Sequence, residues 1–128
     1  MIEASKSAAG KLAYTLNVAG HSITSDVSVA LGGDDLGPDP HDLLDAALTA
    51  CTALTITMVA RRKAIPLTDV QVRITHVEAD GLYSFNRQIK LLGALSGEQR
   101  DYLLGIANKC PIHRALLGRF EVLTVLAE

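Results

Sequence analysis

Fifteen consecutive residues, Ala46 to Ala60, carry no charge. They lie inside a longer stretch, roughly Pro40 to Ile65, that reads as one helix. Asp39 is placed to cap it and Pro40 suits the first helical position. Asp39, Asp42 and Asp45 cluster at its start and Arg61, Arg62 and Lys63 at its end, each set complementing the helix dipole. Pro66 stops it. At 1.5 Å per residue such a helix spans ~37 Å, close to the width of a compact domain whose radius of gyration would be ~14 Å. A helix that is apolar or neutral on every face must be covered on every face. One small domain can hardly do that, so the pattern implies a homodimer whose partner subunit covers part of the helix.

The chain of 128 residues has the length of one domain, with 48% hydrophobic residues, 4% aromatic and a formal net charge of -2. Disorder does not fit this composition, and neither does nucleic-acid binding, which needs a basic face or stacking aromatics. The uncharged run is shorter than the ~20 residues of a membrane span and contains four threonines. The N-terminus lacks the apolar block of a signal peptide. These features read as a soluble cytoplasmic protein, where two cysteines are redox, catalytic or metal-binding groups before they are a structural staple.

Around the helix the pattern is mixed. Leu12, Tyr14, Leu16 and Val18 alternate with polar or small residues, Ala19-Gly20 is a turn, and Ile23 to Val29 reads as a second strand, so residues 1–31 form an N-terminal strand region. Gly32 to Pro40 is a loop by composition, without the Gly-Lys-Ser/Thr of a phosphate-binding loop. Thr68 to Leu92 reads as a hairpin turning at Asp80-Gly81. That register sets Val70 opposite Leu91, Val72 opposite Ile89, Ile74 opposite Arg87 and His76 opposite Phe85. Arg87 is then an inward-facing cation, available to a site or snorkelling from the sheet edge. Ser96 opens a second helical region over 96–117, interrupted at Cys110-Pro111. Residues 120–127 read as a last strand.

Two thiols are candidates for chemistry. Cys51 lies three turns into the long helix, beyond the reach of its dipole, and serves either as a small buried hydrophobe or as a nucleophile activated from elsewhere. Cys110 precedes Pro111 and can cap the following helix, where backbone N–H groups lower a thiol pKa. Local sequence alone therefore makes Cys110 the more activated thiol. Arg87, Arg114 and His113 are the groups that folding could bring to Cys51. His21 and His76 read as ordinary turn and sheet residues, and Asp42 as a helix-start carboxylate. Cys110-x-x-His113 resembles half a zinc site, but no further ligands are evident, so no metal or other cofactor is expected.

The stretch GGDDLGPDPHDLLDAALTACTALTITMVARRKAIPLTDVQVRITH, with the later IANKCPIHRALLG, resembles the OsmC/Ohr family of small thiol peroxidases, most closely its broad OsmC-like branch. The Gly-Gly loop, the Gly-Pro-x-Pro segment, the helix-borne Cys and the Cys-Pro-x-His-Arg motif occur in order. The resemblance implies an α+β fold, with antiparallel sheets wrapped around long central helices in an intertwined homodimer. It implies a peroxidatic Cys51 and a resolving Cys110, the reverse of the local-sequence ranking. It also implies an organic hydroperoxide substrate, a lipoyl-type dithiol reductant and a role in stress protection. Where the well-characterised peroxidases carry a Glu ten residues before the first Cys, this chain has His41. Where they carry an activating Arg in the N-terminal strands, the best positional match is Ser22. His41, Asp42, Arg87, His113 and Arg114 are the candidates to activate or orient the thiolate instead. The alternative is a non-catalytic protein that binds hydrophobic ligands on the same fold.

Overall fold

A computed structural model describes residues 1–127, which fall into two compact units, Met1–Leu44 and the chain from Asp45 onward. The first unit is a three-stranded antiparallel sheet in the order β1 (Ile2–Lys6), β2 (Tyr14–Val18), β3 (His21–Ser25). Ala19 and Gly20 both have positive φ, which gives the β2–β3 turn the twist a two-residue hairpin loop needs. The strand expected over Ile23 to Val29 starts at His21 and ends at Ser25, because the next residue does other work. The buried Asp26 carboxylate accepts the backbone N–H groups of Val27 (2.8 Å), Asp34 (3.1 Å) and Leu36 (3.1 Å), folding the glycine-rich loop around itself. Burial pushes the Asp26 pKa up, but these three donors and the charge of Lys6 outweigh it and hold the carboxyl below its ordinary value. Gly33 is required there, since a Cβ would stand 2.2 Å from the Val27 carbonyl oxygen.

Helix α1 (Pro40–Arg62) begins as the sequence implies. Asp39 Oδ1 accepts the Asp42 N–H at 2.8 Å, and Asp42 Oδ2 accepts the Asp39 N–H at 3.2 Å, a reciprocal cap. It ends three residues earlier than expected. Ala64 turns into the left-handed region and the Ile65 N–H returns to the Ala60 carbonyl at 2.9 Å. Ile65 precedes Pro66, so it cannot itself remain helical. With its charged ends included, α1 reaches the length and apolar composition of a membrane-crossing helix, which the uncharged run alone does not. One stripe of it is buried: Leu48, Thr52, Ile56, Val59 and Ala60.

Within the second unit, Leu48, Thr52, Ile56, Val59 and Ala60 form the buried stripe of α1. Hairpin strands β4 (Leu67–Ala79) and β5 (Leu82–Gly93) pair antiparallel, with Asp80 and Gly81 both at positive φ in the turn. The register is the one the turn dictates: Val70 to Leu91, Val72 to Ile89, Ile74 to Arg87, His76 to Phe85. Helix α2 (Gly97–Ile106) opens on the Ser96–Gln99 capping box. Its Leu103 and Ile106, with Ala107, close over Ile56, Val59 and Ala60, and Val70, Ile89 and Leu91 of the hairpin pack against them. Threonine is tolerated on this stripe because Thr52 donates its hydroxyl to the Leu48 carbonyl at 2.7 Å, so its buried oxygen is satisfied.

After a 3-10 turn (Ala107–Lys109), helix α3 (Pro111–Leu117) completes the regular structure. The strand expected over residues 120–127 is not formed. Phe120, Val122, Leu123, Val125 and Leu126 lie 70–98% exposed, with no neighbouring strand among the described residues to satisfy the backbone of an extended segment. On α1, Leu54 and Met58 are likewise 62% and 65% exposed.

Ile56 is fully buried at the centre of this cluster. Ile56→Ala is expected to lower unfolding free energy by about 3 kcal/mol in a urea titration. A loss below about 1 kcal/mol would place the core elsewhere.

Candidate functional site

The donors at the start of α3 organise the two cysteines. A helix leaves its first N–H groups without intrahelical partners, so each must be accounted for. Pro111, at the first helical position, has none to give. The Ile112 N–H points at Cys51 Sγ, 3.5 Å away on α1. The His113 N–H points at Cys110 Sγ at 3.3 Å, so Cys110 caps its own helix through sulfur. The Arg114 N–H makes the first ordinary helical bond, to the Cys110 carbonyl at 3.2 Å. One helical turn thus serves both sulfurs.

Cys51 is half-buried, Cys110 fully buried, and both are free thiols. Burial pushes the Cys51 pKa up. The Ile112 N–H, the neighbouring Cys110 side chain and the Thr55 hydroxyl, 3.9 Å from the sulfur, more than offset it, so the thiol lies below its ordinary value. The two thiols are therefore neighbours, and the more accessible one is Cys51. The principal donor to the Cys51 sulfur is the Ile112 backbone N–H.

The side chains of Arg87, Arg114 and His113 have other positions. Arg87 faces inward from β5 and donates to Thr52 Oγ1 (3.1 Å), the Ala107 carbonyl (3.2 Å), Asn108 Oδ1 (3.0 Å) and His113 Nδ1 (3.2 Å). It does not snorkel from the sheet edge. A guanidinium can only donate, so His113 Nδ1 accepts and its proton resides on Nε2. Burial, then the Arg87 charge, hold the His113 pKa below the ordinary imidazole value, and the ring is neutral at pH 7. Arg114 is exposed on α3. His41 and Asp42 stand exposed in the first turn of α1, within the first unit, where Asp42 is engaged with Asp39. Ser22 lies on β3. No cluster of three or more His, Cys, Asp or Glu side chains able to hold a metal occurs among the described residues.

A second polar group was not foreseen. Asp45 Oδ1 accepts the Tyr83 hydroxyl at 2.8 Å, its other oxygen accepts from His76 Nδ1, and the His76 ring stacks on Tyr83 with centroids 4.5 Å apart. The signal was present in the faces: His76 shares the inward face of the hairpin with Arg87, and Asp45 precedes Leu48 and Thr52 on the inward stripe of α1. Beside this cluster lies a cavity of about 250 Å³, whose lining includes Leu48, Tyr83, Phe85, Leu116 and, at its polar end, Arg87 and His113.

The family described as OsmC-like protein matches residues 32–124. No curated protein matches the chain. Solved structures share the fold, among them the following three. An OsmC-like protein from Mycoplasma pneumoniae is 21% identical, with 92% of this chain and 86% of that chain covered and a TM-score of 0.75. An osmotic stress induced and detoxification response protein from Psychrobacter arcticus is 19% identical, with 89% and 85% covered and a TM-score of 0.74. An organic hydroperoxide resistance protein from Vibrio cholerae is 22% identical, with 92% and 85% covered and a TM-score of 0.64.

With its pKa below the ordinary thiol value, Cys51 carries more thiolate at neutral pH, and the advantage disappears once pH exceeds the ordinary thiol range. Iodoacetamide at pH 7 should alkylate Cys51 at least roughly tenfold faster than Cys110, read by peptide mass mapping. Equal rates would contradict the geometry.

Proposed function

This chain belongs to the OsmC-like protein family, and on that premise we propose that it is a thiol-dependent peroxidase acting on organic hydroperoxides. One observation carries the reading: a half-buried thiol of lowered pKa, Cys51, beside a second free thiol, Cys110, with one helical turn donating to both sulfurs. The Vibrio cholerae neighbour, an organic hydroperoxide resistance protein, supports the substrate class.

In the proposed reaction the Cys51 thiolate attacks the terminal oxygen of the hydroperoxide. The O–O bond breaks, the departing alkoxide takes a proton to become the alcohol, and Cys51 becomes a sulfenic acid. The Cys110 sulfur then attacks the Cys51 sulfur, water leaves, and a disulfide forms. A lipoyl-type dithiol returns both cysteines to thiols by exchange and is itself oxidised to a disulfide. The apolar lining of the cavity suits an alkyl or aryl body over hydrogen peroxide. In this chain the Ile112 N–H takes the place at Cys51 that the resemblance gives to an Arg and a Glu.

The same cavity supports a second reading, binding of an apolar ligand without turnover. The thiol separates the two, since a binding protein has no use for a lowered Cys51 pKa.

The active form is proposed to be a homodimer. The exposed Leu54 and Met58 and the bare apolar segment from Phe120 are the surfaces a partner subunit would cover. Sedimentation should return twice the chain mass, and a concentration-independent monomer would exclude the dimer.

One equivalent of cumene hydroperoxide should convert the protein to a Cys51–Cys110 disulfide, seen by mass spectrometry as the loss of two hydrogens, and Cys51→Ser should leave the peroxide unconsumed. Two free thiols in the treated protein would defeat the proposal.

A further inference from the structure

Arg87 occupies a costly position. Strand β5 presents Tyr83, Phe85, Ile89 and Leu91 on its inward face, and a guanidinium in that row is tolerated only if its donors are satisfied. They are satisfied by three different parts of the second unit. Its Nη1 group takes Thr52 on α1, the residue after Cys51, and the Ala107 carbonyl in the 3-10 turn. Its Nη2 group takes Asn108 in the same turn and His113 on α3. The segment that carries Cys110 and Ile112 is thereby held between Asn108 and His113, both bonded to Arg87, while the same fork grips the Cys51 helix.

We infer that Arg87 is a positioning residue: its planar fork docks the Ala107–His113 segment against α1 and so keeps the Ile112 N–H on the Cys51 sulfur. It touches neither sulfur. Its effect runs through geometry, because the four Nη hydrogens are committed to Thr52, Ala107, Asn108 and His113, and no contact from Arg87 reaches either sulfur. The contact it controls is made at 3.5 Å, an ordinary length from N–H to sulfur, and a displacement of the segment would break it. The groups acting on Cys51 itself are Ile112 N–H, the Cys110 thiol and Thr55, and Arg87 and His113 stand one contact further out. This role deepens the peroxidase reading, but it concerns the state of the resting thiol and is measurable without any turnover.

The test is the pH dependence of Cys51 alkylation in the full chain, read by mass mapping so that Cys110 does not interfere. Arg87→Lys keeps the charge and loses the fork, while Arg87→Gln loses both. Both should move the Cys51 midpoint upward toward an ordinary thiol, and labelling at neutral pH should fall roughly tenfold when the midpoint rises by about one on the pH scale. Asn108→Ala, a change at an exposed residue that removes one arm of the fork, should move it in the same direction by less, and it answers the question if the Arg87 variants do not fold. A wild-type midpoint in Arg87→Lys would assign the effect to charge and overturn the inference. So would a wild-type midpoint in a folded Arg87→Gln or, where neither Arg87 variant folds, in Asn108→Ala. Peroxide consumption scored separately keeps the two claims apart: a shifted midpoint in a protein that consumes no peroxide would uphold the positioning role and sink the peroxidase.

Discussion

The stripe Leu48, Thr52, Ile56, Val59 and Ala60 on one face of α1 is the contact on which the second unit is built. Packing it against the hairpin and α2 buries the apolar surface that drives folding, and it fixes what else α1 can present. Successive residues on a helix are about 100° apart, so Cys51, beside the fully buried Thr52, comes out at the edge of the stripe, half-covered. A cysteine on the stripe itself would be inert, and one opposite it would be bathed in solvent with no partner. The placement of the thiol is a by-product of how the core is filled.

What meets Cys51 at that edge is set by the chemistry of a helix start. Proline at the first helical position removes one donor, the Cys110 sulfur takes another, and the donor between them is left for Cys51. The Cys-Pro pair thus does two things at once: it ends the preceding turn and aims a backbone N–H at a thiol that lies 61 residues earlier in the chain. Arg87 links this arrangement to the sheet, and His113 joins the site to the apolar cavity as a neutral ring with its proton on Nε2.

The parts of this that local chemistry dictates were legible in the sequence. Asp80-Gly81 fixed the hairpin register to the residue, and with it the inward placement of Arg87 opposite Ile74. Asp39, Pro40 and Pro66 bounded α1, to within the left-handed turn at Ala64. The capping role of Cys110 was legible too. The activating donor was not, because a backbone N–H has no letter in the sequence and the search for a cation passes it by. Asp45, His76 and Tyr83 were missed for a different reason: each has an ordinary local use, and only the packing of helix on hairpin brings them together. The last segment, rich in Val and Leu, has the composition of a strand and still forms none among the described residues, since a strand needs a neighbour that local pattern cannot supply.

The central claim is that Cys51 is the sulfur that takes the peroxide oxygen. Trapping the sulfenic acid tests it most directly: Cys110→Ser protein, which cannot resolve the intermediate, is mixed with one equivalent of cumene hydroperoxide in the presence of dimedone. The predicted result is a single dimedone adduct on the peptide carrying Cys51, formed as the peroxide disappears. An unmodified Cys51 with the hydroperoxide still in solution would contradict it.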